Sequence, residues 1–149
     1  MSAIRLNIME QGRATEWLCS LVLLFFAICL ALPGNTLTSS SGFRAFQSMG
    51  LDEASIATPM AMIAALRLSA LHINGNWRKS PHLRMAGAVF GSAIFSTLAM
   101  AFLWPTLAYG AALSSGVFTY LLLALFDGLS AYRSGADARM VQCVFKEHR

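Results

Sequence analysis

Four long apolar stretches separated by short polar segments dominate the pattern of hydrophobic and polar positions along this chain. A helix needs about 20 mostly apolar residues to cross the roughly 30 Å hydrocarbon core of a bilayer. The stretches predict four membrane spans, at about residues 14–32, 55–73, 83–104 and 106–131. An outer loop at 33–54 and a tail at 132–149 complete the predicted single domain. The expected fold class is an all-α membrane four-helix bundle.

Prolines help to define the ends of the predicted spans. Pro81 follows a serine and is expected in the first turn of the third span, and Pro105 is expected to close that span. The start of the second span has two alternatives. Thr58 caps the helix with Pro59 in its first turn, or Asp52 caps it and Pro59 lies inside.

Composition indicates which solvent surrounds these helices. The chain is 56% hydrophobic and only 12% charged, whereas an average soluble domain carries about 25% charged residues. Four helices that are apolar on every side would leave a soluble protein without polar faces. The sequence therefore predicts an integral membrane protein whose first partner is the lipid bilayer.

The basic residues predict how the chain is oriented. Nine of the 11 lysines and arginines fall on one side of the predicted spans: Arg5, Arg13, Arg78, Lys79, Arg84, Arg133, Arg139, Lys146 and Arg149. Arg44 lies on the other side, and Arg67 lies within the second span. Because loops rich in lysine and arginine stay in the cytoplasm, both termini are expected to be cytoplasmic.

Small residues at four-residue spacing predict how the helices pack, since lipid gives helices no hydrophobic reason to associate. The expected packing positions are Ala57, Ala61, Ala65, Ser69, Gly87, Gly91, Gly110 and Ser114. The first span is bulky across residues 21–26. We therefore expect the second, third and fourth spans to form a tight core with the first span peripheral. These small-residue faces are open to two interpretations, packing within one chain or association into a homo-oligomer.

One charged pair is expected within the membrane. Arg67 is the basic residue inside a predicted span, and Asp127 falls at similar depth in the fourth. A charge inside a bilayer is costly, so it pairs, extends to the interface or serves transport. We predict an Arg67–Asp127 pair as a hypothesis, with extension of Arg67 to the interface as the alternative. A proton-relay role is disfavoured, because no further acid or histidine lies near mid-membrane.

The loop after the second span suits the membrane surface. Trp77 stands beside Arg78, Lys79 and Arg84, a combination that favours anionic lipid headgroups. A patch this small disfavours nucleic-acid binding. In the outer loop, the spacing of Phe43, Phe46 and Met49 predicts either a short interfacial helix or a loop packed on the helix ends.

Candidate chemistry is sparse. No hydrolase elbow, zinc-protease or phosphate-loop motif occurs. The three histidines and three cysteines are too dispersed to suggest a haem, zinc or disulfide framework. We therefore expect no enzymatic activity, no cofactor and no metal.

The segment from Trp77 to Arg84, with Arg67 before it and Asp127, Arg133 and Asp137-Ala138-Arg139 after it, resembles small membrane proteins of proteobacterial phages and prophages. The resemblance covers about residues 64–139. It implies an inner-membrane effector, holin-like or blocking superinfection, although the usual holins have one to three spans. The alternatives are an accessory subunit of a larger membrane complex and, third, a small channel or carrier.

Overall fold

The computed structural model describes residues 13–73 and 80–147 of the chain. In this part the helices are α1 (Arg13–Ala31), α2 (Thr36–Ser39), α3 (Arg44–Ser48), α4 (Glu53–His72), α5 (Ser80–Tyr109) and α6 (Ser115–Glu147). The long helices α1, α4, α5 and α6 are long and apolar enough to cross a membrane. The protein is thus an all-helical, multi-pass membrane bundle.

Helix α4 begins at the earlier of the two predicted starts. The Asp52 carboxylate accepts a hydrogen bond from the Ser55 backbone N–H at 2.8 Å, which caps the helix. Hydrogen bonding to the Ser55 side chain, together with that to its backbone N–H, lowers the pKa of Asp52 below its ordinary value. Pro59 consequently lies inside α4.

The boundary between the third and fourth spans was predicted wrongly. Helix α5 continues through Pro105, as helices in apolar surroundings can. It ends at Gly110, which adopts a positive φ of 64° and donates its N–H to the Thr106 carbonyl at 3.1 Å. Helix α6 starts only at Ser115. Gly110 and Ser114 therefore belong to a turn between two helices, and they are not helix-packing positions.

The predicted tail is also partly helical, because α6 continues to Glu147. The stretch Ser115–Ala136 of α6 is long and apolar enough to cross a membrane. Nothing in the apolar pattern marks this extension, since helix propensity does not require apolar side chains.

The four long helices form two antiparallel pairs. Helix α1 packs along α4 and α5 packs along α6, whereas the contact between α4 and α5 is smaller. We call the boundary between the pair α1–α4 and the pair α5–α6 the seam. One end of the bundle, the Arg13 end, holds the start of α1 and the end of α4. The opposite end, the Gly110 end, holds the α1–α4 connection and the α5–α6 turn.

Helix α1 is not peripheral, contrary to the sequence prediction. Its buried face carries Glu16, Cys19, Ser20, Leu23, Ala27 and Leu30. Leu18 and Phe25 are exposed on the other side of the same helix. Because Cys19, Ser20 and Ala27 are small, this face of α1 can approach α4 closely. The prediction weighed the bulk of residues 21–26 without separating the two faces of the helix.

The small-residue stripe on α4 is only partly buried. Ala57 is buried and Ala61 half-buried, but Ala65 and Ser69 are exposed. With 3.6 residues per turn, a strict four-residue repeat rotates by about 40° per step and leaves the interface. The buried face of α4 mixes three- and four-residue steps, and it comprises Ile56, Ala57, Met60, Ala64, Arg67, Ala70 and Leu71.

Aromatic rings close the Gly110 end of the bundle. Phe43, from the α1–α4 connection, meets Phe26 of α1 and Phe102 of α5 edge to face, at centroid distances of 5.9 and 5.4 Å. Tyr120 of α6 lies 5.3 Å from the Phe102 ring. These rings join both helix pairs to the connection, in geometries that aromatic pairs favour. The predicted short helix is α3, and the connection also packs onto the bundle.

We expect Phe43→Ala to release the α1–α4 connection from the helix ends. Truncation of a packed phenylalanine to alanine leaves a cavity and costs about 3–5 kcal/mol in soluble cores, and Phe43 is only 6% exposed. Limited proteolysis of residues 32–52 in lipid nanodiscs should become faster, with the long helices retained by circular dichroism. Met49→Ala is the control, because Met49 is 71% exposed. Equal cleavage rates for the two variants would contradict this role of Phe43.

Candidate functional site: charged residues across the seam

Arg67 and Asp127 form a buried ion pair between α4 and α6. The Arg67 Nη1 and Nη2 groups donate to Asp127 Oδ2 and Oδ1, each at 2.6 Å. The side chains are 4% and 0% exposed. Arg67 therefore does not extend to the interface, and the structure brings together the two residues that the sequence suggested as a pair.

A second ion pair crosses the same seam. Arg84 of α5 donates through Nε to Glu16 Oε2 at 2.9 Å and through Nη2 to Oε1 at 2.6 Å. Both side chains are 7% exposed. Each ion pair thus joins one helix of the α1–α4 pair to one helix of the α5–α6 pair. Two-point contacts of this kind fix orientation as well as distance.

The glycines of α5 make the first ion pair sterically feasible. A Cβ atom at Gly87 would lie 2.7 Å from Arg67 Cγ, closer than packed carbon atoms approach. A Cβ atom at Gly91 would collide with the Arg67 guanidinium and the Asp127 carboxylate. Both positions were expected to bring helices together. What they accommodate is the Arg67 side chain, which passes over α5 on its way to α6.

Further polar groups surround the two ion pairs. The Cys19 thiol of α1 is buried near the Asp127 carboxylate. Ser20 donates to the Glu16 carbonyl at 2.6 Å, and Ser130 donates to the Phe126 carbonyl at 2.9 Å. Buried polar groups need such partners because unpaired ones are costly to desolvate. The interior between mid-bundle and the Arg13 end is therefore polar, although the helices are apolar outside.

The structure corrects the predicted headgroup-facing loop at one position. Arg84 lies inside α5 and pairs with Glu16, so it does not face headgroups. Trp77, Arg78 and Lys79 lie outside the described residues. Glu16 was not among the predicted site residues. Its position as an acidic residue one turn inside an apolar span was the signal that could have identified it. The predicted first turn at Pro81 likewise implied that Arg84 is helical.

The chemistry open to this site is electrostatic. Within the parts of residues 13–73 and 82–136 whose side chains the structure describes, no three histidine, cysteine or acidic side chains gather in a way that could hold a metal ion. His72 and His82 are both exposed. Each guanidinium is instead neutralised by a carboxylate in direct contact. The arrangement can hold four helices in register without leaving net charge in the bilayer.

The fold and the site define a class, a multi-pass helical membrane protein whose helix pairs are joined by buried ion pairs. Comparison with protein-family models, with curated proteins and with solved structures finds no match for this chain. Inferences about its role therefore depend on the geometry of this bundle.

Removing one member of the Arg67–Asp127 pair should destabilise the bundle strongly. Asp127→Asn or Arg67→Met leaves one buried charge without its partner, for which we expect a loss of about 3–5 kcal/mol. The double variant R67M/D127N leaves neither charge and should lose less than the sum of the single losses. Reversible unfolding in detergent micelles, followed by circular dichroism, measures this. Arg133→Met, at an exposed position, is the control, and additive losses would contradict the pairing.

Gly91→Ala tests the steric requirement of the ion pair with a single methyl group. Because the new Cβ would collide with both charged groups, we expect a loss of about 1–3 kcal/mol, as for other overpacked interiors. Gly128→Ala in α6 is the matched control, since its Cβ would lie 3.9 Å from its nearest neighbour, Ser92 Oγ. Similar thermal unfolding of the two variants would show that Gly91 has no special role.

Proposed function

We propose that this chain is a non-enzymatic protein of the bacterial inner membrane that acts as a phage-type membrane effector. Within that class we favour a protein that blocks superinfection over a holin-like lesion former. The observation that carries the choice is the pairing of Arg67 with Asp127 and of Arg84 with Glu16 inside the bundle. A lesion former needs polar groups that can line water, whereas these charged groups line one another.

We also propose that both termini lie in the cytoplasm. Arg13, at the start of α1, and Arg133, towards the end of α6, lie at the same end of the bundle. Arg44 belongs to the opposite end, where it lies 6.0 Å from the centre of the Tyr109 ring. The positive-inside rule supports the Arg13 end as the cytoplasmic one.

Inducible expression in a bacterial host tests the effector proposal. We expect cells that express the wild-type chain to resist phage infection while their membrane potential and dye exclusion stay normal. R67M should lose this protection because the bundle loosens, and R133M should keep it. Loss of dye exclusion without protection would support a lesion former instead. Expression that neither protects nor permeabilises cells would contradict both forms of the proposal.

A second candidate is an accessory subunit of a larger membrane complex. The observation that favours it is a cleft of about 420 Å³ between α1 and α4 near the Arg13 end, lined by Trp17, Leu21, Leu68, Ser69, His72 and Ile73. Exposed small residues, here Ala65 and Ser69, permit close approach of a neighbouring helix. Purification in mild detergent separates the two candidates, since a co-eluting partner that Ser69→Leu removes favours the subunit.

A channel or carrier receives less support. Its polar lining would have to come from hydroxyl groups, and several of these are engaged in helix contacts. Thr97 and Thr119 donate to carbonyl groups one turn earlier, at 2.9 and 3.1 Å. Ser92 of α5 donates to the Ala124 carbonyl of α6 at 3.0 Å. These bonds serve helix structure and packing, as hydroxyls in membrane helices commonly do.

A further inference from the structure

A small cavity lies between the two ion pairs. Its walls are formed by Glu16, Arg67 and Arg84, together with the apolar side chains of Leu71 and Ala88. The cavity measures about 10 Å³, close to the roughly 10–15 Å³ of cavity volume that one buried water molecule needs. Both ion pairs therefore border a single space of molecular size.

The walls of this cavity have the chemistry that holds a water molecule. Glu16, Arg67 and Arg84 are 5%, 4% and 9% exposed, so the charged walls lie within the protein interior. The bonds from Arg67 to Asp127 engage two N–H groups, and a guanidinium carries five. A carboxylate such as Glu16 offers about four acceptor positions. A water molecule here can accept from Arg67 and donate to Glu16.

We propose that one buried water molecule links the two ion pairs into a single network. The network runs from Asp127 on α6 to Arg67 on α4, through the water to Glu16 on α1, and on to Arg84 on α5. Each long helix contributes one charged group, and positive and negative groups alternate across the direct contacts. The site takes water and not an ion, because its volume is small and the two carboxylates already balance the two guanidinium groups.

This network makes the two ion pairs interdependent. When Asp127 is neutralised, the Arg67 guanidinium can turn towards the water and the Glu16 carboxylate. The second pair then loses part of its geometry, so a substitution at either pair weakens both. The seam is consequently held by one cooperative unit and not by two separate contacts.

Water-edited solid-state NMR of the full chain in lipid nanodiscs tests the water directly. We expect magnetisation from water protons to reach the Arg67 guanidinium nitrogens in the wild type. Ala88→Val adds methyl groups to the cavity wall and should abolish this transfer. Ala99→Val, at another buried alanine of α5, is the matched control and should retain it. No transfer in the wild type, or equal transfer in both variants, would overturn the proposal.

A double-mutant cycle between Glu16→Gln and Asp127→Asn tests the interdependence. The double variant should unfold with an equilibrium constant about tenfold higher than the product of the single effects, as for residues in one network, because neither Glu16 nor Asp127 then remains to hold Arg67. In the A88V background this factor should fall towards one. Additive effects in the wild-type background would overturn the coupling. If a single variant fails to fold, the NMR measurement still tests the proposal independently.

Discussion

The ion pair between Arg67 and Asp127 is the interaction on which the rest of the bundle depends. A guanidinium and a carboxylate can stay ionised in an apolar interior only in direct contact. These residues are 60 positions apart, on helices that are not neighbours in the chain. Their contact sets the register of α4 against α6. Helix α5 passes beside this contact, and a Cβ atom at Gly87 or Gly91 would collide with the charged side chains. One electrostatic requirement therefore positions three helices.

The seam is held differently at its two ends. Towards the Arg13 end, the charged network supplies direction and register, since each bidentate contact tolerates little rotation. At the Gly110 end, aromatic rings provide contact area and complementary shape, namely those of Phe26, Phe43, Phe102 and Tyr120. In lipid the burial of apolar rings gives little net gain, so their packing selects a geometry more than it drives association. The charged end therefore specifies the arrangement.

Two of the sequence predictions failed for one shared reason. Hydropathy along the chain measures how apolar a segment is, but not which face of a helix turns inward. Helix α1 appeared peripheral because its bulky residues outnumber Cys19, Ser20 and Ala27, which occupy the packed face. The stripe on α4 was extended to Ser69 although such a repeat winds out of the interface. Pro105 was taken as a helix end, whereas a helix in apolar surroundings continues past a proline until a glycine such as Gly110 turns the chain.

Composition and periodicity alone determined the number of spans and their approximate positions, because transfer of about 20 residues into lipid is a local property of each segment. They also indicated that Arg67 and Asp127 lie at similar depth, since depth follows from distance along a helix. Only the tertiary structure decided that these two residues meet, that Arg84 meets Glu16, and that Gly87 and Gly91 make room for an arginine. Those facts depend on how helices rotate and cross, which is set by contacts between residues far apart in the chain.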